Sequence, residues 1–134
     1  MMFDGVYLPA VVYAALLSFG FGAAYYRLLA GPWRRAAGLT HSEAQVKWHT
    51  ILLAFACETL MAFVLAGVIY HTAAVTPRNG IISAVMIWAG FMVMGLIINH
   101  RFQKAPWALT VINAGHWLGV LVIQGAAYGY FAPT

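Results

Sequence analysis

An all-α integral membrane bundle of four spanning helices is the fold this sequence of 134 residues predicts, and three observations carry the prediction. Hydrophobic residues make up 63% of the chain and charged residues only 7%, which excludes an ordinary soluble domain. Four apolar runs, about 7–27, 48–70, 81–99 and 107–131, are long enough to cross a hydrocarbon core as helices rising about 1.5 Å per residue. The connectors between them are short and hold the seven basic residues, so the whole of 1–134 reads as one transmembrane domain with the lipid bilayer as its first partner. The net charge of +4 does not point to nucleic acid, because these residues do not line one solvent-facing element.

The first run, Tyr7 to Tyr26, carries Pro9 in its first turn, where a missing N–H matters least, and Arg27 at its far end. MMFDG precedes it with Asp4 and no Lys or Arg, so it lacks the basic region of a signal peptide and the run is expected to stay as a membrane helix. Ala14, Ser18 and Gly22 recur every four residues and form a small-residue packing stripe. Gly31-Pro32 is expected to break the helix, with Trp33, Arg34 and Arg35 at the headgroup level. Thr40-His41-Ser42-Glu43 fits a capping box, which predicts that helix two starts ahead of the membrane and gives Glu43 a structural role.

Helix two, Trp48 to Tyr70, is the stretch from which any chemistry starts, because Glu58 lies near its centre. A carboxylate at mid-bilayer costs about 2.5–3.5 kcal/mol even on lenient insertion scales, so it should be protonated, paired or facing a wet cavity. Ile51, Ala54, Met61, Ala62 and Leu65 share its face and include no second polar group, which disfavours a continuous proton channel. Cys57 cannot form an internal disulfide and reads as a packed thiol. After Tyr70, the segment HTAAVTPRNG supplies turn chemistry in Pro77 and Asn79-Gly80.

Helix three, Ile81 to Asn99, closes in His100, Arg101 and Lys104, with Pro106 as the breaker. Helix four, Trp107 to Phe131, carries Asn113 and His116 and two GxxxG spacings, Gly115 with Gly119 and Gly125 with Gly129. Counting from the basic ends, Glu58 is about 16 Å beyond Lys47 and His116 about 14 Å beyond Trp107, so the two are expected to share a layer. Their contact would be a static helix bond or a site for a proton or small ligand, with Asn113 nearby. Asn99, Asn113 and Gln124 otherwise read as polar links between helices.

Six of the seven basic residues fall at the first and third connections, leaving Arg78 alone on the other side. Those connections are expected to be cytoplasmic, with both termini outside, as in a bacterial inner membrane. His41, His49 and His100 gather toward the basic end, but no CxxCH, HExxH or paired-cysteine signature occurs, so neither a metal nor a cofactor is expected. No internal repeat suggests an inverted-repeat transporter.

The stretch IWAGFMVMGLIINHRF followed by LTVINAGHWLGVLVIQGAAYGYF resembles the closing half of the domain of unknown function 1761 family of bacterial proteins. FGFGAAYYRLL, then a Trp and a GLT segment, is similar to the opening of the same family. The resemblance implies a small four-helix membrane protein and supplies no catalytic residues. Small four-helix membrane enzymes of eicosanoid and glutathione metabolism are similar in length and span count only. Their second helix carries an Arg and Asn-Glu constellation, whereas Ala54, Phe55, Ala56 and Cys57 precede Glu58 here.

Three functions stay open on this reading. The first is association, as a homo-oligomer or an accessory subunit of a larger membrane complex, with the helix-four glycines as the contact face. The second is transport or proton coupling of a small substrate at Glu58 and His116. The third is a membrane enzyme acting on a lipophilic substrate with Glu58 as acid or base.

Overall fold

The computed structural model describes residues 4–133. Among them all regular secondary structure is helical: α1 (Leu8–Leu28), α2 (Ala30–Ala37), α3 (Trp48–Thr72), α4 (Pro77–Phe102) and α5 (Trp107–Phe131). All but α2 are long and apolar enough to cross a membrane. The four spans expected from the apolar runs are therefore present, and the centre of the bundle is α5. In its apolar window 39% of the residues are buried, against 6% in α4, so α5 is the hub and α4 sits at the periphery.

Small residues set these contacts. A Cβ on Gly80 would overlap the Gly125 carbonyl, and one on Gly125 would overlap the Gly80 carbonyl, so the backbones of α4 and α5 touch there. Gly129 meets the Thr76 backbone in the same way, one turn further along. On its other side α5 receives α1: the Phe21 ring lies over Gly119 and the Tyr25 hydroxyl over Gly115. Ala14, Ser18 and Gly22 are buried along α1, where the small-residue stripe predicts a close approach. The helix-four glycines are thus filled from within the chain. The contacts made at these four positions are to α1, to α4 and to Thr76 just ahead of α4.

Several boundaries differ from the sequence reading, each for a local reason. The chain bends at Leu29, not at Gly31-Pro32; Pro32 falls in the first turn of α2, where no intrahelical N–H is needed. Gly38, at φ 70°, then ends α2 with the Gly38 and Leu39 amides donating to Arg35 and Arg34 carbonyls, a Schellman-type stop. The capping box forms, with the Thr40 amide donating to Glu43 Oε2 (3.1 Å) and the Glu43 amide to Thr40 Oγ1 (3.3 Å). It closes only one turn, because the chain is extended again at Lys47 and α3 begins at Trp48.

At the opposite end Pro77 is the first residue of α4, and Thr76 caps it by accepting from the Asn79 amide (3.2 Å). The expected Asn79-Gly80 turn is therefore helix, α4 begins four residues before Ile81, and it runs to Phe102. Cys57 is exposed on the bundle surface rather than packed within it, one position off the Glu58 face of α3. Nothing in the periodicity signalled the π-helical segment Trp88–Met92 inside α4. There the Trp88 indole donates to the Ala114 carbonyl of α5 (2.8 Å), and beyond it His100 and Arg101 meet Thr110.

Gly80→Ala and Gly125→Ala should each destabilise the detergent-solubilised protein by about 1–3 kcal/mol, since backbone must move to admit the methyl group. Gly90→Ala and Gly95→Ala, whose added methyls meet nothing described within 4 Å, should be neutral or stabilising by at most about 1 kcal/mol. Thermal or chemical unfolding in detergent checks both.

Candidate functional site at the basic end

Of the residues singled out from the sequence, Asn113 and His116 lie together and Glu58 lies elsewhere. The Tyr26 hydroxyl donates to Asn113 Oδ1 (2.8 Å), tying α1 to α5. The Tyr26 ring also packs against His116, at 4.6 Å between centroids. His116 is 7% exposed and is enclosed by aromatic rings, with Trp117 at 4.6 Å and Tyr25 at 5.7 Å. A methyl group on Gly22 would stand 2.7 Å from His116 Nε2, so the absence of a side chain at 22 admits the imidazole. Its Nδ1 is buried without a partner among the described residues.

Glu58 is 4% exposed but belongs to a different layer, where Gln124 Nε2 donates to the Glu58 backbone carbonyl (3.0 Å) and to Ser18 Oγ (3.1 Å). Gln124 is eight residues beyond His116, about 12 Å along α5, so the expected Glu58–His116 layer is not made. The cause is a difference in starting depth. Val46, just before α3, lines the same cavity as Asn113, well inside α5, so α3 begins deeper than α5 does. Depth counts begun at Lys47 and Trp107 treat two different levels as one.

That cavity is the feature the sequence reading missed. It is a half-open cavity of about 620 Å³ between α1, α2, the connector to α3 and α5. Tyr26, Arg27, Trp33, Arg34, His41 and Asn113 supply its rings and polar groups, while Ala30, Ala44 and Val46 supply apolar wall. Arg34 Nη1 donates to His41 Nδ1 (2.8 Å), so His41 presents Nδ1 as an acceptor and holds the guanidinium against the connector. The described lining contains two guanidinium groups and no carboxylate. The cluster YYR followed by GPWRR was the available signal, since it puts rings and cations on one short stretch. By itself such a stretch signals only a headgroup anchor.

The other histidines are dispersed. His100 Nδ1 pairs with Thr110 Oγ1 (2.7 Å), where Arg101 Nη2 also donates (2.8 Å) with its guanidinium 3.7 Å over the Trp107 ring. Among the described residues no three His, Cys, Asp or Glu side chains are grouped to hold a metal ion.

Fold and site together define a small four-span helical membrane protein with a basic, ring-lined cavity at one end. The family model described as "Protein of unknown function (DUF1761)" matches residues 9–129, and the chain belongs to that family. No curated protein and no solved structure matches the chain.

Tyr26→Phe and Asn113→Leu, combined in a double-mutant cycle, should show a coupling of about 0.5–1.5 kcal/mol in unfolding, the net worth of one hydrogen bond. The same cycle on Glu58→Gln and His116→Phe should be additive within about 0.3–0.5 kcal/mol, as suits residues in separate layers.

Proposed function

We propose that this protein binds an amphiphile with an anionic head in the cavity at its basic end. The carrying observation is the lining itself, in which Arg27 and Arg34 share one cavity with Tyr26, Asn113 and the apolar surface of Ala30, Trp33 and Val46. Guanidinium groups recognise carboxylate and phosphate oxygens by charge-assisted bonds, and Trp33 and the aliphatic wall suit an acyl or alkyl chain. The basic residues flanking this end favour its facing the cytoplasm of a bacterial inner membrane, with both chain termini outside. The shared ligand chemistry is a phosphate or carboxylate on an apolar stem, whether a resident lipid or a free amphiphile.

Association is a second reading, and it moves from α5 to the outer face of α4. Met86, Phe91 and Ile98 are exposed there, and Gly90 and Gly95 have no described neighbour. A homo-oligomer or accessory role would use that face, and Gly95→Leu should then change the assembly size seen in detergent, whereas Gly119→Leu should disrupt the monomer itself.

Dodecyl phosphate titrated into protein in zwitterionic nanodiscs tests the ligand reading, and nanodiscs containing phosphatidylglycerol show whether a lipid competes for the cavity. Arg27→Gln or Arg34→Gln should weaken dodecyl phosphate binding about 10- to 100-fold, the loss of a charge-assisted hydrogen bond. Inorganic phosphate should bind far more weakly, having no stem for the apolar wall. Equal affinity in the wild type and the Arg27→Gln/Arg34→Gln double variant would falsify the reading.

A further inference from the structure

Where α1, α3 and α5 meet, the polar groups can be counted hydrogen by hydrogen. Ser18 Oγ donates its one hydrogen to the Ala15 carbonyl (3.1 Å). Gln124 Nε2 has two, which go to Ser18 Oγ (3.1 Å) and to the Glu58 carbonyl (3.0 Å). This fixes the direction of the Gln124 amide, since a backbone carbonyl accepts only and the nitrogen must face it. Every side-chain donor hydrogen in the cluster is then in use. Two acceptors remain buried without a partner among the described residues, Glu58 Oε1 and Gln124 Oε1. Ser18 and Gln124 are 0% exposed and Glu58 4%, so bulk water does not serve them.

The cluster is one hydrogen short. We propose that Glu58 binds a proton here and donates it to Gln124 Oε1, forming a neutral acid–amide pair that joins α3 to α5. One hydrogen then satisfies both orphaned oxygens, and no charge is left among Ala14, Ala62, Leu65, Val120 and Leu121, all buried around this level. The alternative means of satisfying two oxygens are a small cation or an internal water donating to both, and either leaves the carboxylate ionised. The Lys and Arg side chains of this protein lie toward its ends, with Lys47 about 16 Å along the helix from Glu58, and His116, the histidine of α5, makes no hydrogen bond to Glu58 among the described residues. The inference does not rest on the amphiphile cavity, which lies at another level of α5.

Infrared spectroscopy of the full chain in nanodiscs at neutral pH tests it directly. The chain has three acidic residues, Asp4, Glu43 and Glu58, and glutamate carrying a 13C carboxyl labels only the last two. A carbonyl stretch of a protonated carboxyl should appear in the wild type, persist in Glu43→Gln and vanish in Glu58→Gln. In Gln124→Leu it should shift to higher frequency, since the acid has lost its acceptor. Glu58→Gln, whose amide supplies the missing hydrogen, should keep the wild-type melting temperature, while Glu58→Leu should melt several degrees lower. A wild type with only ionised carboxylate bands overturns the proposal, and so does a melting temperature that falls when sodium and potassium are replaced by choline.

Discussion

Backbone contact between Gly80 and Gly125 is the constraint from which the rest of the packing follows. Apolar side chains gain little by leaving lipid for one another, so close van der Waals approach must hold spanning helices together. At this point the helices have no side chain between them. α4 is drawn against one side of α5 over Thr76, Gly80 and Ala84, and the opposite side is left for α1 and α3. The polar members of α5, Asn113, His116 and Gln124, therefore look toward α1 and α3 rather than toward lipid. Tyr26 and Ser18, on α1, become their partners.

This arrangement explains which parts of the fold could be read from the residues. Apolar length fixed the four spans, because a hydrocarbon layer imposes one requirement on every crossing segment. The Ala14, Ser18, Gly22 stripe and the burial of Glu58 were legible for the same reason, as small or polar residues must find company away from acyl chains. Relative depth was not legible. A run of apolar residues reports how far a helix extends, and the level at which α3 starts depends on the Thr40–Lys47 connector, whose extended end carries the chain past the cavity floor. That single offset moved Glu58 from the His116 layer to the Gln124 layer.

Turn chemistry misled for a related reason. Proline and glycine punctuate a chain in water, but Pro32 and Pro77 both stand in first turns of helices, and Gly80 serves an interhelical contact. The Thr40–Glu43 box shows the complementary case, in which a correct local signal closes one turn without nucleating a helix. The cavity was hidden because its lining comes from four separate segments, none of which carries a motif. Arg27, Arg34 and His41 are ordinary interfacial residues until the bend at Leu29 folds α2 back beside Asn113.

The π-helical segment of α4 has a consequence for how this chain tolerates length change. A π turn holds one residue more than an α-helix needs over the same rise. Loss of one residue from Ala89–Met92 would restore a regular helix and leave everything beyond it facing as before, because the wider turn had absorbed the extra residue. Trp88 would keep its bond to the Ala114 carbonyl, and His100 and Arg101 would still face Thr110. A single codon's deletion should thus be tolerated in this stretch and not in the regular turns of α4, where every residue beyond the loss would rotate by about 100° and leave its partners on α5.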